Sequence, residues 1–279
     1  MIEKAELQNL VSEAAQRVRD ENPMAPSITN SVTINFVANA QIAVGGSAAM
    51  VYLPDEGEAM AAAGPAFYIN VGTLLPIYDE TLPRTAKRLA ELGCPWVVDP
   101  VAVGMGEMRT RLLEGFKPYK PTIIRGNASE VITLANLWSL ECSGDEGAVR
   151  GVDSTQSVDE ARAAAVALAR YTGGAVAVSG VDDLVTDGSV VVKSHGGSHF
   201  MAEITGSGCS LGGVCAVYAA CAQTPLAAAL AAVNVYNCAG KRAEARVDAP
   251  GSFQVAFLDE LYKATPQDIA NNPFEIEEA

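Results

Sequence analysis

Short apolar runs that end in a polar residue recur along this chain, and stretches of helical spacing separate them. Ala66-Phe67-Tyr68-Ile69-Asn70-Val71 leads to Gly72, and Trp96-Val97-Val98 ends in Asp99-Pro100. Thr122-Ile123-Ile124 ends in Arg125-Gly126-Asn127, and Ala175-Val176-Ala177-Val178 ends in Ser179-Gly180. Strands without polar alternation are buried on both faces, which is the mark of a parallel sheet covered by crossover helices. The chain therefore reads as α/β, with a central, mostly parallel sheet flanked by helices on both faces. In such sheets ligands bind beyond the carboxyl ends of the strands. That rule gathers Asn70, Asp99, Arg125, Asn127 and Ser179 along one edge.

The helices are legible from spacing and punctuation. Ile2 to Asn22 repeats apolar residues at Ile2, Ala5, Val11, Ala14 and Val18, and Pro23 closes it. Leu82 to Leu92 stops at Gly93, Ser129 to Leu140 follows, and Val158 to Tyr171 stops at Gly173-Gly174. Asp187-Gly188 marks a hairpin turn between two short strands. Thr224-Pro225 supplies an N-cap and first-turn proline for an alanine-rich helix. The acidic tail after Pro266 is expected to fray.

The segment Thr205-Gly206-Ser207-Gly208-Cys209-Ser210-Leu211-Gly212-Gly213-Val214 carries the chemistry. Its glycines let backbone N–H groups approach an anion, and the helix that follows adds partial positive charge there. A thiol beside bound phosphate sits in a field expected to favour its thiolate. The pattern points to a phosphoryl-transfer site with Cys209 as the candidate base.

Composition narrows the partners. The net charge of −14 opposes binding to nucleic acid or to an anionic membrane surface. An anionic cosubstrate then needs an anion hole or a metal ion. The 279 residues, 49% hydrophobic, show no linker or low-complexity segment and read as a single domain over 1–279. Six cysteines without a CxxC pair read as reduced thiols of a cytoplasmic protein. The opening residues form a charged amphipathic helix rather than a signal peptide, and no apolar run approaches the about 20 residues of a membrane span. His195 and His199, the two histidines, read as solvated loop residues.

Taken in order, several of these segments resemble the hydroxyethylthiazole kinases of the ribokinase-like superfamily. The resemblance rests on Ile28-Thr29-Asn30, Val44-Gly45-Gly46-Ser47-Ala48-Ala49-Met50, Asn70 to Leu74 and Asp99-Pro100-Val101. It continues through Arg125 to Glu130, Ser179-Gly180 with Thr186-Asp187-Gly188, Thr205 to Cys209, and Pro250 to Gln254. It implies a ribokinase-like fold and an ATP-dependent kinase for the primary hydroxyl of 4-methyl-5-(2-hydroxyethyl)thiazole. It also implies Mg2+ and a homotrimer with active sites between subunits.

The resemblance assigns roles residue by residue. Cys209 is the general base, where most ribokinase-like kinases have Asp. Gly206, Ser207 and Gly208 form the anion hole for the transferred phosphoryl group, with Gly208 on ATP and Gly206 also against the substrate. Arg125 and Ser179 bind ATP, Ser179 replacing the usual Thr. Asp99 and Glu130 lie near Mg2+, although Glu130, three residues after Asn127, also fits a capping box. Asn30 and Met50 form the thiazole side of the pocket. The entrance here, Pro26-Ser27-Ile28-Thr29-Asn30, lacks the family's common histidine. Two other readings remain open at this point: a related kinase of another small alcohol of hydroxymethylpyrimidine type, and a non-catalytic metabolite-binding homologue.

Overall fold

The computed structural model describes residues 2–142 and 158–279. The single domain expected over 1–279 runs across residues 1 and 143–157, which lie outside the described residues. The first half of the chain runs α1 (Lys4–Glu21), β1 (Met24–Ile28), α2 (Ile34–Ala43), β2 (Ser47–Met50), α3 (Pro54–Ala63) and β3 (Phe67–Asn70). It continues through α4 (Tyr78–Leu92), β4 (Trp96–Asp99), α5 (Glu107–Phe116), β5 (Ile123–Asn127) and α6 (Ala128–Leu137). The second half runs α7 (Val158–Thr172), β6 (Ala175–Ser179), β7 (Asp183–Thr186), β8 (Val190–Ser194) and α8 (Ser207–Ala219). It ends with α9 (Pro225–Glu244), α10 (Pro250–Lys263), α11 (Pro266–Ala270) and β9 (Phe274–Glu278).

Among the described residues, nine strands form one sheet in the order β2-β1-β3-β4-β5-β6-β7-β8-β9. Neighbours from β2 to β6 pair in parallel, and neighbours from β6 to β9 pair antiparallel. Side chains alternate between two cores. Phe67, Ile69, Trp96, Val98, Ile124, Val176 and Val178 pack into the core on the side of α3 to α7. Tyr68, Val97, Ile123, Ala175 and Ala177 pack on the side of α1, α2, α8, α9 and α10. The fold is therefore the helix–sheet–helix sandwich expected from sequence. The period of two has a functional corollary. Counting on by two from Tyr68, Val97, Ile123 and Ala177 reaches Asn70, Asp99, Arg125 and Ser179, so all four point to the α8 face.

Two details differ from the sequence reading. The helix expected from Leu82 begins at Tyr78, so Pro83 lies inside α4. Its missing N–H gives up one helical bond; the burial of Tyr78, Thr81 and Leu82 in the first turns offsets that loss. The tail after Pro266 does not fray. Thr265 and Asp268 close a capping box at the start of α11, and Phe274–Glu278 adds β9 to the edge of β8. Phe274 is buried in the core, and Glu277 finds cations. Glu277 pairs with Arg162, and Lys193 lies between Asp159 and Glu277.

Arg242 contacts Asp268 at 2.7 Å, and this contact holds the Asp268 carboxyl at about 2, below the usual carboxylate range. Because its folded value is lowered, its stabilisation is full above the unfolded carboxylate range and is lost as pH falls through about 2. Asp268→Ala is expected to cost about 1 kcal/mol at pH 7. Thermal melts of the two proteins should converge as the pH is lowered toward 2; a gap that widens in acid rules the pair out as the cause.

Candidate active site

The strand ends and the start of α8 meet around a buried ion pair. Asp99 is fully buried, and its Oδ2 lies 3.4 Å from Arg125 Nη1 and accepts from Asn70 Nδ2 at 3.1 Å. The Tyr68 hydroxyl lies 3.1 Å from the same oxygen and 2.7 Å from the Cys209 carbonyl oxygen. Asp99 Oδ1 has no hydrogen-bond partner among the described residues. Burial raises the Asp99 carboxyl above its ordinary range, with Arg125 pulling against it. Arg125 turns its other end to β6, where Nη2 donates to Ser179 Oγ at 2.8 Å.

α8 begins over this pair. Gly206 is its N-cap at φ +96°, a left-handed conformation open to glycine at little cost. Gly208 passes so close to Arg125 that an added Cβ would stand 2.5 Å from Nη1. The first-turn N–H groups of a helix have no intrahelical acceptor, and here that turn packs at Gly208 on a buried guanidinium. Two sources of positive field therefore converge on one spot, as an anion hole requires.

That spot is one wall of a cleft of about 1120 Å3. Arg125, Ser179, Ser207 and Gly208 line it on the sheet side, and Asp183, Asn237 and His199 line it further out. Asp183 is nine-tenths buried, takes the Gly180 N–H at 3.0 Å, and is pushed up to about 6 by burial. His195 and His199, read as solvated, are each paired with an acid: Nδ1 lies 2.7 Å from Asp182 and 2.9 Å from Glu244 respectively.

Cys209 lies beyond this wall, on the side of β1 and β3. Its Sγ accepts from Asn30 Nδ2 at 3.3 Å. The expected thiolate-favouring field is not what this site supplies. Burial first, and the Asp99 charge second, push the thiol above its ordinary value, while Arg125 pulls it back. The helix start and the guanidinium are outweighed because the sulfur is shielded from water and shares its surroundings with a carboxylate.

The remaining candidates fall in three places. Asn30 joins the Cys209 cluster directly. Met50 stands apart from it, half-buried at the end of edge strand β2 opposite Ser27. Glu130 closes the capping box of α6: Oε2 accepts from Asn127 N at 2.9 Å, and Oε1 accepts from Ala102 N at 3.1 Å. Sequence reasoning passes over the Tyr68 hydroxyl and Asp183. Tyr68 reads as one more apolar strand residue, yet its position two before Asn70 already puts it on the functional face. All six cysteines are free thiols; Cys215 is buried in the core, and the buried Cys221 Sγ donates to Glu21 Oε2 at 3.7 Å. Among the described residues no helix is long and apolar enough to cross a membrane.

Comparison with known proteins gives the family of the chain. Residues 15–267 match the model of the Hydroxyethylthiazole kinase family. A hydroxyethylthiazole kinase of Bifidobacterium longum (strain DJO10A) is 51% identical over 94% of this chain and 89% of its own length. One from Clavibacter sepedonicus is 40% identical over 92% of this chain and 90% of its own length. Among solved structures, a hydroxyethylthiazole kinase protein from Pyrococcus horikoshii OT3 superposes with a TM-score of 0.84 at 29% identity, covering 97% of this chain and 99% of that one. A Staphylococcus aureus pyridoxal kinase in complex with AMP-PCP and pyridoxal shares only the fold, with a TM-score of 0.55 at 16% identity over 79% of this chain and 88% of that one. With a family match over most of its length, curated relatives at half identity and the same architecture, the chain belongs to the hydroxyethylthiazole kinase family.

Proposed function

We propose that this protein transfers the γ-phosphoryl group of ATP to the primary hydroxyl of 4-methyl-5-(2-hydroxyethyl)thiazole. One observation carries the reading. The glycine-rich start of α8 divides a large cleft from a sulfur, so donor and acceptor can meet across a site of convergent positive charge. ATP occupies the cleft with its terminal phosphate toward Arg125, Ser179 and Gly208. The alcohol lies on the Cys209 side, near Asn30 and Gly206, with Met50 closing the far end. As the alcohol oxygen bonds to phosphorus and the bond to ADP breaks, its proton passes to Cys209 Sγ. Positioning and charge neutralisation by Arg125 and the α8 N–H groups do most of the work, as phosphoryl transfer needs little covalent help.

The residues fit a magnesium ion. Asp99 Oδ1 is a buried oxygen with no hydrogen-bond partner among the described residues, the hard donor that Mg2+ takes alongside phosphate oxygens and water. Glu130 has both carboxylate oxygens engaged by backbone N–H groups and would reach the ion through water. When bound, the ion neutralises charge on the phosphates. Nine-tenths burial of Arg125 beside Asp99 keeps the guanidinium in place meanwhile.

The homotrimer belongs to the same proposal. α2 and α10 pack against each other and leave Ile42, Val255 and Tyr262 exposed, with Val32 in the turn before α2, next to the edge that carries Met50. A pocket completed by a neighbouring copy would bury them.

Thiazole-dependent release of ADP tests the reaction, and its absence at saturating ATP removes the proposal. Cys209→Ala is expected to lower kcat by about two orders of magnitude, the usual worth of a placed base. The pH dependence has a definite sign. The sulfur must be ionised to take a proton, and its pKa is raised, so turnover should climb from about pH 7 to about pH 9. Cys209→Asp should retain activity and flatten that climb. A wild-type rate that is level across this range takes the sulfur out of the proton path.

A further inference from the structure

Two asparagines stand between the sheet and the sulfur, and two backbone N–H groups decide which way their amides face. Asn70 Oδ1 accepts from Gly72 N at 2.9 Å and from Asn30 Nδ2 at 3.0 Å. Its Nδ2 therefore points at Asp99 Oδ2, 3.1 Å away, and at the Tyr68 oxygen, 3.0 Å away. Asn30 Oδ1 in turn takes the Thr33 N–H at 3.1 Å. A backbone N–H only donates, so these assignments do not depend on telling amide oxygen from nitrogen. Turning Asn70 over would set its NH2 against two donors and its oxygen against a carboxylate. Turning Asn30 over would set its NH2 against the Thr33 N–H. The only consistent arrangement aims Asn30 Nδ2 at Cys209 Sγ, 3.3 Å away.

The turn that anchors this arrangement is held from outside. Arg109 on α5 donates from Nε to the Val71 carbonyl at 3.0 Å and from Nη2 to the Gly72 carbonyl at 2.6 Å. Gly72 also packs directly on both amides. An added Cβ would stand 2.9 Å from Asn70 Oδ1, 3.0 Å from Asn30 Nδ2 and 3.1 Å from Asn30 Cβ.

We propose that Asn70, seated on the Gly72 N–H, is a positioning residue that makes Asn30 present a donor to the Cys209 sulfur and so holds that sulfur as an acceptor facing the substrate. Gly72 does not touch the reacting atoms and acts through the two amides, while the Asn70 amide, besides orienting Asn30, favours the ionised sulfur directly. This inference rests on Cys209 serving as the base in the reaction proposed above. It extends the site by two residues that the strand-end rule reaches only in part: Asn70 by its place, and Gly72 not at all.

Gly72→Ala tests it without removing any hydrogen-bonding group. Asn70→Leu, which deletes the amide, is the second variant in case the first does not fold. Three readouts are needed: kcat for the thiazole alcohol, KM for ATP, and the rate at which iodoacetamide alkylates Cys209, followed by mass spectrometry of its peptide. Either variant is expected to lower kcat by about tenfold or more, as a displaced reactive group does. For Gly72→Ala, KM for ATP should stay within about twofold, because the cleft lies beyond the α8 wall; Asn70→Leu also removes a donor to Asp99 and is judged on alkylation alone. Alkylation of Cys209 should slow by about tenfold, since an anionic sulfur loses its amide donor. A folded variant with alkylation within about twofold of wild type overturns the proposal, as does, for Gly72→Ala, a rise in KM for ATP that matches the fall in kcat. If the wild-type protein releases no ADP with the alcohol, the kinase reading fails on its own. The alkylation rates still decide whether the amides act on the sulfur.

Discussion

Asp99→Ala is expected to cost about 3–5 kcal/mol of stability, because it leaves a buried guanidinium without its counter-charge. Arg125 is nine-tenths buried, its Nε has no hydrogen-bond partner among the described residues, and Glu130, the next carboxylate to act on it, is held by two backbone N–H groups. The Tyr68 hydroxyl and the Asn70 amide would lose the same oxygen. For a chain of this size the loss corresponds to a fall of roughly 10 °C or more in Tm. Turnover should fall by about three orders of magnitude or more, since the change removes the buried Asp99 oxygen and lets the cation drift from the phosphate end of the cleft. Asp99→Asn keeps the shape and should recover part of the stability but little of the rate. Calorimetry and an ADP-release assay on both variants check this. A Tm within about 2 °C of wild type for Asp99→Ala would mean that Arg125 is satisfied some other way.

Gly208→Ala is the second large effect, and it separates rate from stability. The new methyl would meet the Arg125 guanidinium at 2.5–2.8 Å, distances that cannot persist, so the side chain must swing away. A guanidinium can move without unfolding the protein, and the cost should appear in kcat, lowered by about two to three orders of magnitude, as when an anion-hole donor is lost. Gly115 supplies the control. It lies in the last turn of α5 with nothing within 4 Å of the position a Cβ would take, so Gly115→Ala should leave the rate unchanged. It should also add about 0.5 kcal/mol of stability, the advantage of alanine over glycine in a helix. Equal kinetics for the two alanine variants would show that Gly208 is merely a turn residue.

Most of the candidate site is legible in the sequence because two simple rules act together. Polar residues at strand ends mark the binding edge, and the period of two puts Asn70, Asp99, Arg125 and Ser179 on one face. The helix start at Gly206 to Cys209 is legible from its glycines. What escapes depends on three-dimensional surroundings that no local pattern encodes. A helix start predicts a thiolate-favouring field at Cys209, yet desolvation and the nearby Asp99 carboxylate outweigh the helix and Arg125. Tyr68 looks like core, because nothing in Phe67-Tyr68-Ile69 distinguishes a hydroxyl that packs from one that bonds. The tail misleads for a related reason. Glu277 looks solvated until the fold brings Arg162 and Lys193 beside it, and those two cations lie more than 80 residues earlier in the chain.

The ninth strand has a consequence for how the chain is made. β8 pairs on one side with β7 and on the other with residues 274–278, so its outer edge stays bare until that stretch has been synthesised. Val190, Val191 and Val192 would meanwhile offer unpaired backbone to any neighbouring chain, the usual starting point for edge-to-edge aggregation. Products of early termination or of proteolysis before Pro273 should therefore precipitate rather than persist as a slightly shortened enzyme, and fusions that crowd this strand should lower the soluble yield.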